Sequence, residues 1–184
     1  WQQKREKLKA DLQHYITGSI PPPPDRLNVK VLAEEKVGEA TRRIIELTFG
    51  PENKAKLTVE MMIPPGDGPF PVFLTQWNHR EWAQIALRRG YIGCVYAAAD
   101  SRDDSEEYAK IWWPDYDFSR LGRRVYATSR AIDYLYTLPY VDKEKIGLTG
   151  HSRNGKLSLM AAAFDERIGA IITSSAGTGG GGPW

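Results

Sequence analysis

The stretch Lys145-Ile146-Gly147-Leu148-Thr149-Gly150-His151-Ser152-Arg153-Asn154-Gly155-Lys156 decides the fold. A short apolar run ends in glycine, a serine follows, and the segment beyond is able to form a helix. This is the layout of a nucleophile elbow, where a strand turns sharply into a helix and leaves one hydroxyl exposed. A serine hydroxyl is a weak nucleophile until a base takes its proton, and the tetrahedral anion it forms needs donors aimed at it. The elbow lifts the hydroxyl out of the chain and points a helix N-terminus at the developing charge. Ser152 is therefore the candidate nucleophile. Gly150 supplies the small residue before it. The second glycine, Gly155, stands three places after the serine, and Asn154 takes the place two after, where glycine is usual. Asparagine tolerates unusual backbone angles, so a strained turn at Asn154 is expected. The alternative reading is an ordinary strand-to-helix turn with a serine at the helix start.

Strand-like Lys145–Thr149 is followed by a helical pattern over Lys156–Phe164 and a strand at Ala170–Thr173. Upstream, Pro71–Thr75 and Tyr91–Ala99 are dense apolar runs, as in strands covered on both faces. A helix over Glu81–Arg89 ends at Gly90. Ser119 reads as the N-cap of a long helix whose apolar face carries Leu121, Val125, Ile132 and Leu135, and Pro139 stops it. Helices alternating with buried strands predict a parallel sheet with right-handed crossovers. Arg42–Phe49 and Ala55–Ile63, joined by the turn Pro51-Glu52-Asn53, read as antiparallel strands. Leu57, Val59 and Met61 alternate with polar neighbours and predict a half-exposed second strand. Residues 64–69 read as a surface turn. An antiparallel start leading into a mostly parallel sheet with flanking helices predicts an α/β-hydrolase fold. Residues 1–24 form a separate N-terminal piece: a helix over 1–17 with Leu8, Leu12 and Ile16 on one stripe, then the stiff run Pro21–Pro24. Residues 25–184 read as the N-terminal portion of one α/β-hydrolase domain.

A chain of 184 residues is long enough for a sizeable core, with 41% hydrophobic and 26% charged residues. A net charge of +2 gives no footing for nucleic acid. No run approaches the about 20 apolar residues of a membrane span. No signal peptide is visible, although the chain opens on Trp1, as it would after removal of a leader. Cys94, the single cysteine, lies in an apolar run and reads as a buried thiol. Six Trp and nine Tyr serve packing or, alternatively, stacking on sugar rings. The acidic stretch Asp100–Glu107 reads as a solvated loop; its spacing matches no metal-binding loop, and nothing else calls for a metal or cofactor. Trp112-Trp113-Pro114 with Tyr116 reads either as a wall of the site mouth or as core. The loop Gln76-Trp77-Asn78-His79-Arg80 follows the strand whose end supplies the second oxyanion donor in this fold. Trp77 and Asn78 are accordingly candidates for lining the substrate side. His151 adjoins Ser152 but points away from it, and His79 is the better placed imidazole.

Ser152-Arg153-Asn154-Gly155-Lys156, followed by Leu159-Met160-Ala161, Phe164, Arg167-Ile168, Gly177-Thr178-Gly179-Gly180 and Trp184, resembles carbohydrate esterase family 15, the glucuronoyl esterases. Their elbow reads G-x-S-R-x-G-K, and a Gly-rich segment ending in tryptophan comes later. The resemblance is best over about residues 120–184. Residues 1–118 resemble bacterial acetyl-xylan-esterase-like hydrolases more loosely. It implies that Arg153 helps hold the oxyanion and that Lys156 contacts sugar hydroxyls. The guanidinium and ammonium chemistry suits both roles, and solvated charge at a helix start is the plainer alternative. Many members carry the triad acid shortly before the Gly-rich segment, where this chain has Ser175. The order serine, acid, histidine then places both remaining members after Trp184. Further polypeptide, from the same gene product or a second chain, is expected to pair beside Ala170–Thr173 and bring the histidine.

The resemblance implies a secreted or periplasmic serine esterase acting on plant cell-wall polysaccharide. Its substrate would be the ester joining 4-O-methylglucuronate to lignin alcohols. The alternatives are an acetyl xylan esterase, a non-catalytic carbohydrate-binding fragment of an esterase, and an interaction fragment completed by a partner.

Overall fold

The computed structural model describes residues 1–113 and 115–177. Pro114, Thr178, the glycine run 179–182 and Trp184 lie outside the described residues. In chain order, β1 (Leu27–Val37), β2 (Ala40–Phe49) and β3 (Ala55–Ile63) form an antiparallel meander. β4 (Phe70–Gln76) and β5 (Ile92–Tyr96) are parallel to each other, and β5 pairs with β3 in the antiparallel sense. A small hairpin follows, β6 (Ala98–Ala99) with β7 (Arg102–Asp103). β8 (Val141–His151) and β9 (Ala170–Ser174) complete the main sheet, in the order β1-β2-β3-β5-β4-β8-β9. The last four strands of that order are parallel, as the alternation of helices and buried strands requires.

The chain moves one way along the sheet from β4 to β5 and the other way from β5 to β8 and on to β9. Right-handed crossovers therefore put the first connecting helix, α2 (Trp82–Leu87), on one face and the later ones on the other. α1 (Gln2–Leu12) and a following π-helical turn to Thr17 pack on that second face. There Leu12, Ile16 and Ile20 meet Val125, Leu157 and Met160. Leu8, the third residue of the expected stripe, is largely exposed. After α3 (Tyr108–Trp112) comes the long α4 (Arg120–Thr137), capped by Ser119, whose hydroxyl accepts the Gly122 amide at 3.2 Å. α5 (Arg153–Phe164) packs beside it. The core is the layer between α4 and the sheet, where Ile45, Leu57, Leu74, Ile132 and Leu135 are fully buried.

One expectation is corrected, and one strand went unread. β3 is not half-exposed: apart from Lys56 and Ile63 it is buried throughout, because it lies third among seven strands. Its one buried carboxylate, Glu60, accepts from Arg80 at 2.6 Å and from Arg42 at 3.1 Å, as a buried charge requires. β1 was not legible as a strand. It is a solvated edge, rich in Lys and Glu and tied to β2 by Glu35–Arg42 and Glu34–Arg43 pairs, the charged trim that keeps edges from further pairing. At the opposite edge β9 pairs only with β8 among the described residues, and Ile172 is 67% exposed.

Trp112 is core, edge-on to Tyr108 and Tyr126, whereas Trp113 faces solvent. Cys94 is fully buried, and burial pushes its thiol far above the ordinary range.

Candidate active site

β8 ends at His151 and α5 begins at Arg153, so Ser152 alone makes the turn between them. Its backbone is at φ 56°, ψ −124°, a conformation that non-glycine residues adopt only when the surroundings impose it. The surroundings are specific. The Ser152 amide donates to the Ser174 carbonyl at 2.8 Å, and the Ser152 carbonyl accepts from the Lys156 amide at 3.1 Å, the first turn of α5. A Cβ on Gly150 would stand 2.7 Å from Gln76 Oε1 and closer still to the Asn154 carbonyl, so only glycine fits. The expectation of strain at Asn154 is corrected: that residue is inside α5, and the unusual angles fall on Ser152. Gly155 explains its own position. A Cβ there would lie 2.8 Å from the Ser174 carbonyl, so the glycine three residues after the serine lets α5 close onto β9. Ser152 itself is exposed at the C-terminal edge of the parallel strands.

Beneath the elbow lies a buried polar network. Gln76 Nε2 donates to Tyr96 Oη at 3.1 Å and to Ser158 Oγ at 3.2 Å. Tyr96 Oη is 2.7 Å from Thr128 Oγ1, and Ser158 Oγ donates to the Asn154 carbonyl at 2.9 Å. β4, β5, α4 and α5 are thus pinned together under the serine. Burial pushes the Tyr96 phenol up to about 12, so the network holds its protons at neutral pH.

Arg153 carries a side chain 71% exposed, in an ion pair with Asp100 at 2.6 Å. The other Asp100 oxygen accepts from Arg124 Nη2 at 2.8 Å, and Arg124 Nε donates to Asp103 at 2.8 Å. The acidic stretch, expected to be a solvated loop, is solvated only in part: Asp100–Arg102, Glu106 and Glu107 are exposed, and Asp103–Ser105 are drawn inward. Asp103 is 4% exposed on its side chain, and Asp104 accepts the Thr58 amide at 2.7 Å. These carboxylates fasten the β6–β7 hairpin to α4 and β3. The Arg124 hydrogen bond foremost, with the charges of Arg124, Arg153 and Arg120, holds the Asp100 carboxyl below its usual range against the opposing effect of partial burial. Lys156 sits half-buried one turn into α5.

The loop after β4 divides around its own axis. Trp77 has the Arg102 guanidinium 4.6 Å and that of Arg80 5.1 Å from its ring centre. Asn78 Oδ1 accepts the Ser101 amide at 3.0 Å and its hydroxyl at 2.7 Å, which joins the loop to the hairpin tip. His79 turns toward the elbow. Its ring stacks on Trp82 at 4.2 Å, and its Nε2 accepts the His151 amide at 3.4 Å. Burial, then the charge of His151, lowers the His79 pKa and so favours the neutral ring. His151 Nδ1 lies 3.1 Å from Ser174 Oγ. Among the described residues no side chain hydrogen-bonds to Ser152 Oγ. Asp100, Gln76 and Ser174 are the members of this constellation that sequence reasoning missed. The only sequence signal for Asp100 was its place in a short polar tip directly after a buried strand.

The family of fungal glucuronyl esterases matches residues 48–184. The 4-O-methyl-glucuronoyl methylesterase of Hypocrea jecorina is 43% identical over 190 residues, covering 98% of this chain and 39% of that protein. The one from Cerrena unicolor is 26% identical over 196 residues, covering all of this chain and 40% of that protein. A glucuronoyl esterase structure from Solibacter usitatus superposes with a TM-score of 0.80 at 24% identity, over 96% of this chain and 58% of that one. The chain thus spans about two fifths of the curated relatives' length, and its fold is the α/β-hydrolase fold of these esterases.

Proposed function

The chain belongs to the glucuronyl esterase family, and from that premise we propose that it carries the nucleophile half of a serine esterase cleaving 4-O-methylglucuronoyl esters in plant cell-wall polysaccharide. The observation that supports this most is the strained Ser152, exposed at the sheet's C-terminal edge with Arg153 beside it and α5 beginning at the next residue. In this reading Ser152 Oγ attacks the ester carbonyl, and the alcohol leaves as an acyl-enzyme forms. Water then releases the glucuronate. The oxyanion is met by the N-terminal amides of α5 and by the Arg153 guanidinium. Lys156, one turn further along the same helix, donates to a sugar hydroxyl. Trp77 and Asn78 shape the substrate rim, one held by two arginines and the other by Ser101.

The general base and its acid come from polypeptide outside residues 1–184, docked at the β9 edge. Three facts support this. His79 spends its Nε2 lone pair on the His151 amide. β9 is open on one side among the described residues. The relatives are more than twice as long as this chain. Residues 25–184 are then one part of a single catalytic domain, with residues 1–24 as its N-terminal brace, and the enzyme works outside the cell on polymer.

The test is hydrolysis of the benzyl ester of glucuronic acid by the longer protein containing residues 1–184. Wild type is expected to turn over and Ser152→Ala to be inactive at equal folded concentration. Retained turnover in Ser152→Ala would remove the assignment.

A further inference from the structure

Arg153 poses a problem that the elbow alone does not solve. A long, mostly exposed side chain at a helix start has many rotamers, and a cation there is disfavoured by the helix dipole. Catalysis by an oxyanion donor depends on the donor being in place before the charge forms. Something must hold the guanidinium.

We propose that Asp100 is a positioning residue for the proposed reaction, clamping Arg153 at the elbow through an alternating chain of charges that is anchored in the protein interior. The chain runs Asp103, Arg124, Asp100, Arg153. Its inner pair is immobile: Arg124 is 5% and Asp103 4% exposed on their side chains, joined at 2.8 Å. Asp103 also accepts the Ser105 amide at 3.2 Å, so its carboxylate is fixed at both ends. Arg124 then presents Nη2 to one oxygen of Asp100, leaving the other oxygen for Arg153 Nη2. The backbone of Asp100 is fixed as well. It occupies the two-residue tip of the β6–β7 hairpin, whose ladder pairs Ala98 with Asp103 and Ala99 with Arg102. Asn78 grips the other tip residue, Ser101, through both amide and hydroxyl. The loop after β4, the hairpin and the start of α5 are thereby held at one set of distances. A carboxylate with both oxygens committed to arginines stays charged, in keeping with its lowered pKa. It occupies one edge of the Arg153 guanidinium and leaves the other nitrogens free to donate. Its negative charge also offsets the cation at the N-terminus of α5.

The inference rests on Arg153 acting as an oxyanion donor. A double-mutant cycle in the longer protein separates the two claims. Asp100→Ala, Asp100→Asn, Arg153→Ala and the Asp100→Ala/Arg153→Ala pair are compared on the benzyl ester of glucuronic acid. Turnover is counted per site titrated to completion with a fluorophosphonate, so unfolded molecules drop out. Asp100→Asn keeps an oxygen for Arg124 and serves where the alanine variant folds poorly. Arg153→Ala should lower kcat on the order of 100-fold, and Asp100→Ala about tenfold with KM changed by less than about twofold. Asp100→Asn should fall between Asp100→Ala and wild type. In the Arg153→Ala background the loss from Asp100→Ala should nearly vanish, since the residue it positions is gone. Additive losses in the pair, or an unchanged kcat in both Asp100 variants beside an impaired Arg153→Ala, would overturn the role of Asp100 and leave Arg153 standing. A fully active Arg153→Ala would overturn both.

Discussion

Gly150 is pressed against the carbonyl of Asn154, four residues on, so tightly that no side chain fits between strand and helix. The bare glycine permits the tight turn in which Ser152 sits at φ 56°. Gly150→Ala should therefore cost about 1–3 kcal/mol through overpacking and backbone shift. It should also slow phosphonylation of Ser152 more than the stability loss explains. Urea unfolding and labelling rates on the same samples check this; unchanged values for both would contradict the contact.

Glu60 is 8% exposed on its side chain and faces two arginines. Removing it strands their charges, although both remain partly solvated, so Glu60→Ala should lower stability by about 2 kcal/mol, below the full cost of breaking a buried pair. Urea titration measures the loss, and Arg42→Ala in the Glu60→Ala background should add little.

Burial, then the charge of His151, lowers the pKa of His79. Its folded pKa lies below its unfolded value of about 6.5, so the stability it favours is present above that pH and is lost as pH falls toward the folded value. Between pH 7 and pH 5, His79→Gln should lose less stability than wild type. Equal losses in the two proteins would show that the ring titrates freely.

Lys156 and Arg153 should separate by substrate. Lys156→Ala is expected to raise KM for the glucuronate ester while leaving hydrolysis of an aryl acetate nearly unchanged. Arg153→Ala should lower kcat on both, on the order of 100-fold. Parallel losses on both substrates for Lys156→Ala would argue against a sugar contact.

The legible parts of this chain are those written locally. Ser119 and the apolar spacing of Leu121, Val125, Ile132 and Leu135 specify α4 within one segment, and Gly150 with Ser152 specifies the elbow. β1 escaped because an edge strand needs no buried face, so its charged residues carry no period. Asp100 escaped for a different reason. Its partners, Arg124 and Arg153, are far along the chain and meet it only when β5, α4 and β8 are assembled, so eight charged and polar residues in a row read as a solvated loop. At Asn154 the usual glycine spacing suggests unusual angles that the residue, inside α5, does not adopt. The close approach was instead moved one residue along, to Gly155 against Ser174.

The central claim, that the hydroxyl of Ser152 is the nucleophile, is tested most directly by treating the proposed longer protein with a fluorophosphonate and sequencing the labelled tryptic peptide by mass spectrometry. The expected result is one adduct, on Ser152 within the peptide running from Ile146 to Arg153, formed at a rate that falls when a glucuronate ester is present. An adduct on another residue, or ester hydrolysis that continues with Ser152 unmodified and the reagent in excess, would contradict it.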